Sequence, residues 1–282
     1  MGTETKIEWA HDTLNLWWGC TKVSDGCKFC YAETLSNRFD RNNWGPKGIR
    51  QEVKSWRTTL AKISRMAKES GQRRRVFVNS MADTFEGPET MGGHGSANWA
   101  LVSHLQDELL EAISEHEELD FLLLTKRPQN VFGVVHRHDD PNWSTHSGKL
   151  PPNVWLGTSV EDQKTADERI PHLLQVPAAV RFLSCEPLIG SVDLAYTCFN
   201  GADSFGSMPG IHWAIIGGES GPNARPMKPD WARDLRDQCV AAGVPFFFKQ
   251  GSQTPEWPRF KDFASFPRDL QLREFPKEST NA

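Results

Sequence analysis

A repeated alternation of short apolar runs with longer amphipathic segments constrains this chain more than any other feature. Seven runs recur: Leu14 to Trp18, Val76 to Val78, Phe121 to Leu124, Val154 to Leu156, Val180 to Leu183, Trp213 to Ile216 and Pro245 to Phe248. None alternates apolar and polar residues, so they read as strands buried on both faces, as a parallel sheet requires. Between them lie helical stripes. Trp56, Leu60, Ile63 and Met66 share one face, and Leu101, Leu105, Leu109, Leu110 and Ile113 form a longer one. Further helices are expected over Gln129 to His136, Gln163 to Leu174 and Asp230 to Ala242, the last stopped by Gly243. The pattern predicts an α/β fold, a parallel and partial TIM-type βα barrel of about six βα units with irregular loop insertions. The insertions fall at Gly87 to Gly95, His136 to Pro152 and Leu188 to Ile211. Residues 1–282 read as one domain, with 258–282 an irregular C-terminal extension.

No apolar run reaches the roughly 18 residues needed to span a bilayer, and the first residues lack the apolar centre of a signal peptide. A cytoplasmic protein without a membrane partner is therefore expected. In that compartment thiols stay reduced, and a core this large needs no disulfides, so the clustered members of the six cysteines are read as ligands. The net charge of -4 gives no global attraction to phosphate. Only local clusters, Arg73-Arg74-Arg75 and Lys126-Arg127, could supply one.

Each run ends in small or chemically capable residues, and in a βα barrel all such ends meet at one rim where active sites are built. These ends include Asn79 to Asp83, Thr125 to Pro128, Gly157 to Glu161, Ser184 to Pro187, Gly217 to Ser220 and Lys249 to Gly251. The first strand is followed by Cys20-x6-Cys27-x2-Cys30. Three thiolates on one short loop can hold three irons of a 4Fe-4S cubane and leave the fourth open. A structural zinc would want a fourth protein ligand, for which His11 is a weak candidate. Two alternatives therefore stand: a zinc-stapled nucleic-acid-binding protein without catalysis, and an iron-sulfur electron carrier. Cys185, Cys198 and Cys239 show no ligand spacing.

Cys27-Lys28-Phe29-Cys30, with an aromatic residue before the last cysteine, resembles the radical S-adenosylmethionine superfamily, although six residues rather than the usual three separate the first two cysteines. More closely, Gly19 to Ser24, Cys30 to Glu33, Leu124 to Pro128, Leu183 to Leu188 and Gly217 to Met227 resemble a bacteriophage and bacterial family of uncharacterised three-cysteine-motif proteins. The resemblance implies a 4Fe-4S cluster on Cys20, Cys27 and Cys30, S-adenosylmethionine on the open iron, and a 5'-deoxyadenosyl radical that abstracts hydrogen from substrate. It implies an electron donor and leaves room for a separately encoded partner protein. By position Phe29 would stack near adenine, and Ser80 and Asp83 would accept hydrogen bonds from the methionyl ammonium. Thr158, Ser159 and Glu161 would meet the ribose or the methionyl carboxylate, and Gly217 and Gly218 adenine or substrate. Close backbone packing is the competing account of the two glycines. Lys126, Arg127, Glu186, Glu219, Arg225 and Lys249 form a charged set for an anionic substrate, with a nucleotide or nucleic-acid lesion as the leading case and DNA repair or modification as the setting.

Overall fold

The apolar runs become strands because both of their faces are covered. Val76, Val78, Phe121 and Leu123 are buried, as are Phe182, Leu183, Ile215 and Phe248. The structure, a computed structural model, describes residues 2–137, 150–195, 210–221, 223–252, 254–255, 257 and 261–276. The strands are β1 (Asp12–Leu14), β2 (Trp17–Trp18), β3 (Gln51–Glu52), β4 (Arg74–Val78), β5 (Leu119–Thr125), β6 (Val154–Ser159), β7 (Val180–Cys185), β8 (Trp213–Gly217) and β9 (Phe246–Gln250). Helices are α1 (Tyr31–Asn37), α2 (Trp56–Ser70), α3 (Ala97–Glu115), α4 (Val131–Val135), α5 (Gln163–Gln175) and α6 (Pro229–Ala242). Seven strands hydrogen-bond in the order β1-β4-β5-β6-β7-β8-β9. Each is thus beside its sequential neighbour, as in a βα barrel, with none of the order reversal of doubly wound sheets.

The chain forms two compact units, Met1–Gly157 with Gln175–Ala179, and Thr158–Leu174 with Val180–Ala282. In the first, β1, β4 and β5 are parallel, with Val76 opposite both Asp12 and Phe121. In the second, β7, β8 and β9 are parallel, with Ala214 opposite Leu183 and Phe246. Among the described residues no helix is long and apolar enough to cross a membrane. Most expected helices appear within a residue or two, and Gly243, at φ 66°, closes α6. Gln129 to His136 divides into a 3-10 turn, Pro128–Asn130, and the short α4. Residues 138–149 and 196–209, which include most of two expected insertions and Cys198, lie outside the described residues, as do 258–260 and 277–282 of the expected extension.

Leu14 to Trp18 is not one strand. At Asn15 side chains take over the ladder: Asn79, at φ 53°, accepts the Leu16 N–H through Oδ1 at 2.9 Å, and Asn15 Oδ1 accepts the Met81 N–H at 2.9 Å. The chain leaves the main sheet there, and Trp17 and Trp18 pair antiparallel with Glu52 and Gln51. A run of apolar letters does not reveal that an asparagine within it captures the neighbouring backbone.

Two histidines make the same staple, one in each unit. His11, before β1, accepts the Arg75 N–H through Nδ1 at 2.8 Å, and His212, before β8, accepts the Arg181 N–H at 2.9 Å. Only a neutral ring can accept this bond. Burial pushes both pKa values below the ordinary 6.5, helped by Arg75 and Arg74 at His11 and by Arg181 at His212. The unfolded chain therefore binds these protons first, so the stabilisation is complete above 6.5 and is lost as pH falls through the lowered values. Urea unfolding between about pH 7 and about pH 5 should show stability falling with acid, less steeply in a His11→Asn, His212→Asn double variant. Equal slopes would contradict the staple.

Candidate functional site

The cysteine loop in the first unit is fastened to the segment after β4. Gly19 pairs with Ala82 in a parallel bridge and donates its N–H to the Met81 carbonyl at 3.1 Å. Gly19 sits at φ 115°, and a Cβ there would lie 2.5 Å from the Asn43 carbonyl, so only glycine allows this approach. Cys20, Cys27 and Cys30 are half-buried free thiols. Cys30 immediately precedes α1. Burial pushes its thiol up, and the N–H groups of Glu33 and Ala32 at the start of that helix, with the Lys126 charge, offset only part of this, so the thiol stays raised. Ser24 Oγ lies 3.9 Å from the Cys27 sulfur. Burial and Glu86 push the Cys20 thiol up, while Arg127 draws it down from 3.8 Å. Consecutive side chains, Lys126 and Arg127, thus address opposite ends of the cysteine motif.

Arg127 belongs to a buried network of two guanidiniums and two carboxylates. Its Nη1 donates to Asp83 Oδ2 at 2.9 Å and its Nη2 to the Thr21 carbonyl at 2.6 Å. Its Nε, also buried, has no acceptor among the described residues. Asp83 further accepts from Thr125 Oγ1 at 2.7 Å, the Phe85 N–H at 3.0 Å and the Lys126 N–H at 3.0 Å. Arg50 grips Glu86 with two bonds of 2.9 and 2.7 Å, both side chains being fully buried. Glu86 Oε1 also accepts the Thr21 N–H at 2.9 Å and Thr90 Oγ1 at 3.0 Å. Two positive and two negative charges balance, the condition for keeping four ions out of water. Ser80 exchanges hydrogen bonds with the Asn15 side chain at 3.1 and 3.3 Å, and its carbonyl accepts the Tyr31 hydroxyl at 2.6 Å. The half-buried Phe29 ring lies 5.3 Å from the Lys28 ammonium.

In the second unit the expected site residues are engaged with one another. Thr158, Ser159 and Glu161 are buried, and Arg169 Nη1 binds both Glu161 oxygens at 3.1 Å and the Ser159 carbonyl at 2.8 Å. Lys249 pairs with Glu186 at 2.8 Å. Arg225 clasps Glu219 with side-chain bonds of 2.9 and 2.6 Å. A Cβ on Gly217 would meet Glu186 Oε1, and one on Gly218 would meet the backbone of Gly251 and Ser252. Backbone packing thus requires a glycine at Gly218, while at Gly217 the crowding comes from the end of a side chain. Cys185 and Cys239 are buried free thiols.

The residues that organise the cysteine loop most directly, Arg50, Glu86, Asn15 and Tyr31, carry no spacing signal. Buried ion pairs are tertiary facts, and an arginine 36 residues from its glutamate partner has no local mark. Among the described residues no three histidine, cysteine, aspartate or glutamate side chains are set to hold a single metal ion. A zinc site draws its ligands to within about 2.3 Å of one point, whereas each thiolate of a cubane takes a separate iron.

Strand order and loop together define a βα protein whose first loop carries three free thiols beside buried charge. The chain belongs to the family described as "Protein of unknown function (DUF5131)", which matches residues 4–274 and so includes the whole cysteine motif and its charge network. No curated protein matches the chain. Two solved structures are similar to it. A cysteine-to-alanine mutant of spore photoproduct lyase with dinucleoside spore photoproduct shares 11% identity at a TM-score of 0.45, covering 88% of this chain and 57% of that one. A tyrosine-to-phenylalanine mutant of spore photoproduct lyase shares 11% identity at a TM-score of 0.48, covering 86% and 65%. The chain thus spans less than two thirds of the length of either.

Removing Arg50 while Glu86 stays buried tests the network. Arg50→Met should cost about 3–5 kcal/mol in urea unfolding, and adding Glu86→Gln should restore part of it. A cost below about 1 kcal/mol, the range of an exposed pair, would reject the network as a structural centre.

Proposed function

We propose that the chain is a radical S-adenosylmethionine enzyme whose 4Fe-4S cluster is held by Cys20, Cys27 and Cys30. The observation that carries the reading is the cysteine loop itself: three free thiols in the segment that follows β2, one at a helix start and one beside a buried guanidinium. Burial keeps the Cys20 and Cys30 thiols raised and therefore protonated in the metal-free chain, so a metal must displace those protons, and nearby donors offset part of that cost. The α1 N–H groups favour the Cys30 thiolate, and Arg127 offers positive charge at Cys20 and a buried Nε–H without an acceptor among the described residues. When bound, such a cluster with one iron free of protein ligands supplies one-electron cleavage of S-adenosylmethionine to a hydrogen-abstracting radical.

The protein's part is to hold and orient. Phe29, next to Cys30, offers a ring for adenine, and the Ser80 hydroxyl, already oriented by Asn15, offers a polar contact for the methionyl group. Asp83 has four hydrogen bonds from protein donors, as many as its lone pairs take, so its role in this reading is to fix Arg127 rather than to bind the ammonium directly. The reaction needs an external electron donor, and a nucleotide or nucleic acid is the substrate class we favour.

Anaerobic reconstitution with iron and sulfide should give brown protein with about four irons per chain, which releases 5'-deoxyadenosine from S-adenosylmethionine on reduction. Cys20→Ala, Cys27→Ala and Cys30→Ala should each lose the colour and the release, and Cys185→Ala should keep both. Colourless wild-type protein, or cluster retained in all three variants, would overturn the assignment.

A further inference from the structure

Loop 38–49, between α1 and β3, is built inside out. Its polar groups turn inward: Asn43, 3% exposed, donates to the Ile49 carbonyl at 2.7 Å and accepts from Ser36 Oγ at 2.8 Å. Arg50 Nη1 binds the Asn43, Gly45 and Gly48 carbonyls at 3.0, 3.2 and 2.9 Å. Its large apolar groups turn outward, with Phe39 59% and Ile49 66% exposed. Of the five large hydrophobic side chains exposed among the described residues, four (Val23, Tyr31, Phe39 and Ile49) fall between residues 23 and 49, so the exposure is regional rather than the usual scatter.

A loop so fixed from within does not leave phenylalanine and isoleucine in water for want of an alternative. We infer that this loop, with Trp18, is a platform for single-stranded nucleic acid. Two features select that occupant. The loop carries Arg38, Arg41 and Lys47 against Asp40 in a chain of net charge -4, an excess that complements phosphate. Arg41 also lies over the Trp18 ring, 4.6 Å from its centroid, and 5.7 Å from that of Phe39, whose ring meets Trp18 edge-on at 6.2 Å. Alternating rings and guanidiniums stack unpaired bases and track their backbone, whereas a duplex hides its base faces. The platform adjoins the cysteine loop, since the Gly45 N–H donates to the Cys20 carbonyl at 2.9 Å. The inference rests on the proposed function only for what the bound strand would be used for.

Fluorescence anisotropy with a short labelled oligothymidylate tests it on the full chain, with and without reconstituted cluster. Wild type should bind saturably. Phe39→Ala should weaken binding about tenfold, the loss of one stacked base. Arg41→Gln should reduce the slope of log affinity against log salt by about one. Val240→Ser, at an exposed apolar position outside the loop, should change neither. All three positions have solvent-facing or partly exposed side chains, and unchanged melting temperatures would confirm folding. No saturable binding, the result expected of a protein-docking surface, overturns the inference, as does binding indifferent to both loop variants. A colourless protein that still binds would defeat the cluster assignment alone, and a brown one that does not bind would defeat the platform alone.

Discussion

The buried pair of Arg50 and Glu86 fixes two loops that no regular element holds. On one side Arg50 collects three carbonyls of loop 38–49, and on the other Glu86 takes the Thr21 N–H and the Thr90 hydroxyl. Cys20 is thus held on one side by the Gly19–Ala82 bridge and on the other by the bond from the Thr21 N–H to the ion-paired Glu86. Such a pair is a poor source of stability, because desolvating two ions offsets most of their attraction. What it supplies here is uniqueness: with every donor and acceptor taken, a loop shifted by one residue leaves a charge unpaired in the interior.

Arg127 extends this network to the sulfur. Asp83 and the Thr21 carbonyl hold the guanidinium, and Thr125 and the Phe85 and Lys126 N–H groups hold Asp83 in turn. Held through both of its terminal nitrogens, this charge is positioned beside Cys20 more tightly than a flexible surface lysine would be. The segment after β4 buries Asp83, whose carboxylate accepts from Thr125 at the end of β5 and from the Lys126 N–H as well as from Arg127.

How much of this the sequence disclosed follows from the range over which each interaction acts. Strands and helices were legible because apolar periodicity is local, and Gly243 was readable as a stop because a left-handed residue ends a helix in any fold. The break at Asn15 was not, because the hydrogen bonds that cause it, from the Leu16 N–H to the Asn79 side chain and from the Met81 N–H to the Asn15 side chain, span 63 and 66 positions. Among site residues the three cysteines announced themselves by spacing. Glu86 and Arg50, with the more direct hold on Cys20, did not, since nothing in either neighbourhood marks one as the other's partner. The outward turn of Phe39 and Ile49 was equally hidden, as a loop's inside and outside depend on what lies beneath it.

The cations also change meaning once their partners are known. Read along the chain, Arg127, Arg225 and Lys249 add to a positive site for an anionic substrate. In the folded protein each has a carboxylate, from Asp83, Glu219 and Glu186 respectively, within 2.6 to 2.9 Å. A cation paired with a carboxylate presents a weaker net field than its type alone suggests. Under the proposed platform, the cations that would meet an anionic strand are those that accompany exposed aromatic rings instead of carboxylates. Arg41, over the Trp18 ring and near that of Phe39, meets that description among the described residues, and Arg38 and Lys47 lie on the same loop, whose backbone touches Cys20. Charge counted by type locates a potential, but only charge counted after pairing locates a binding surface.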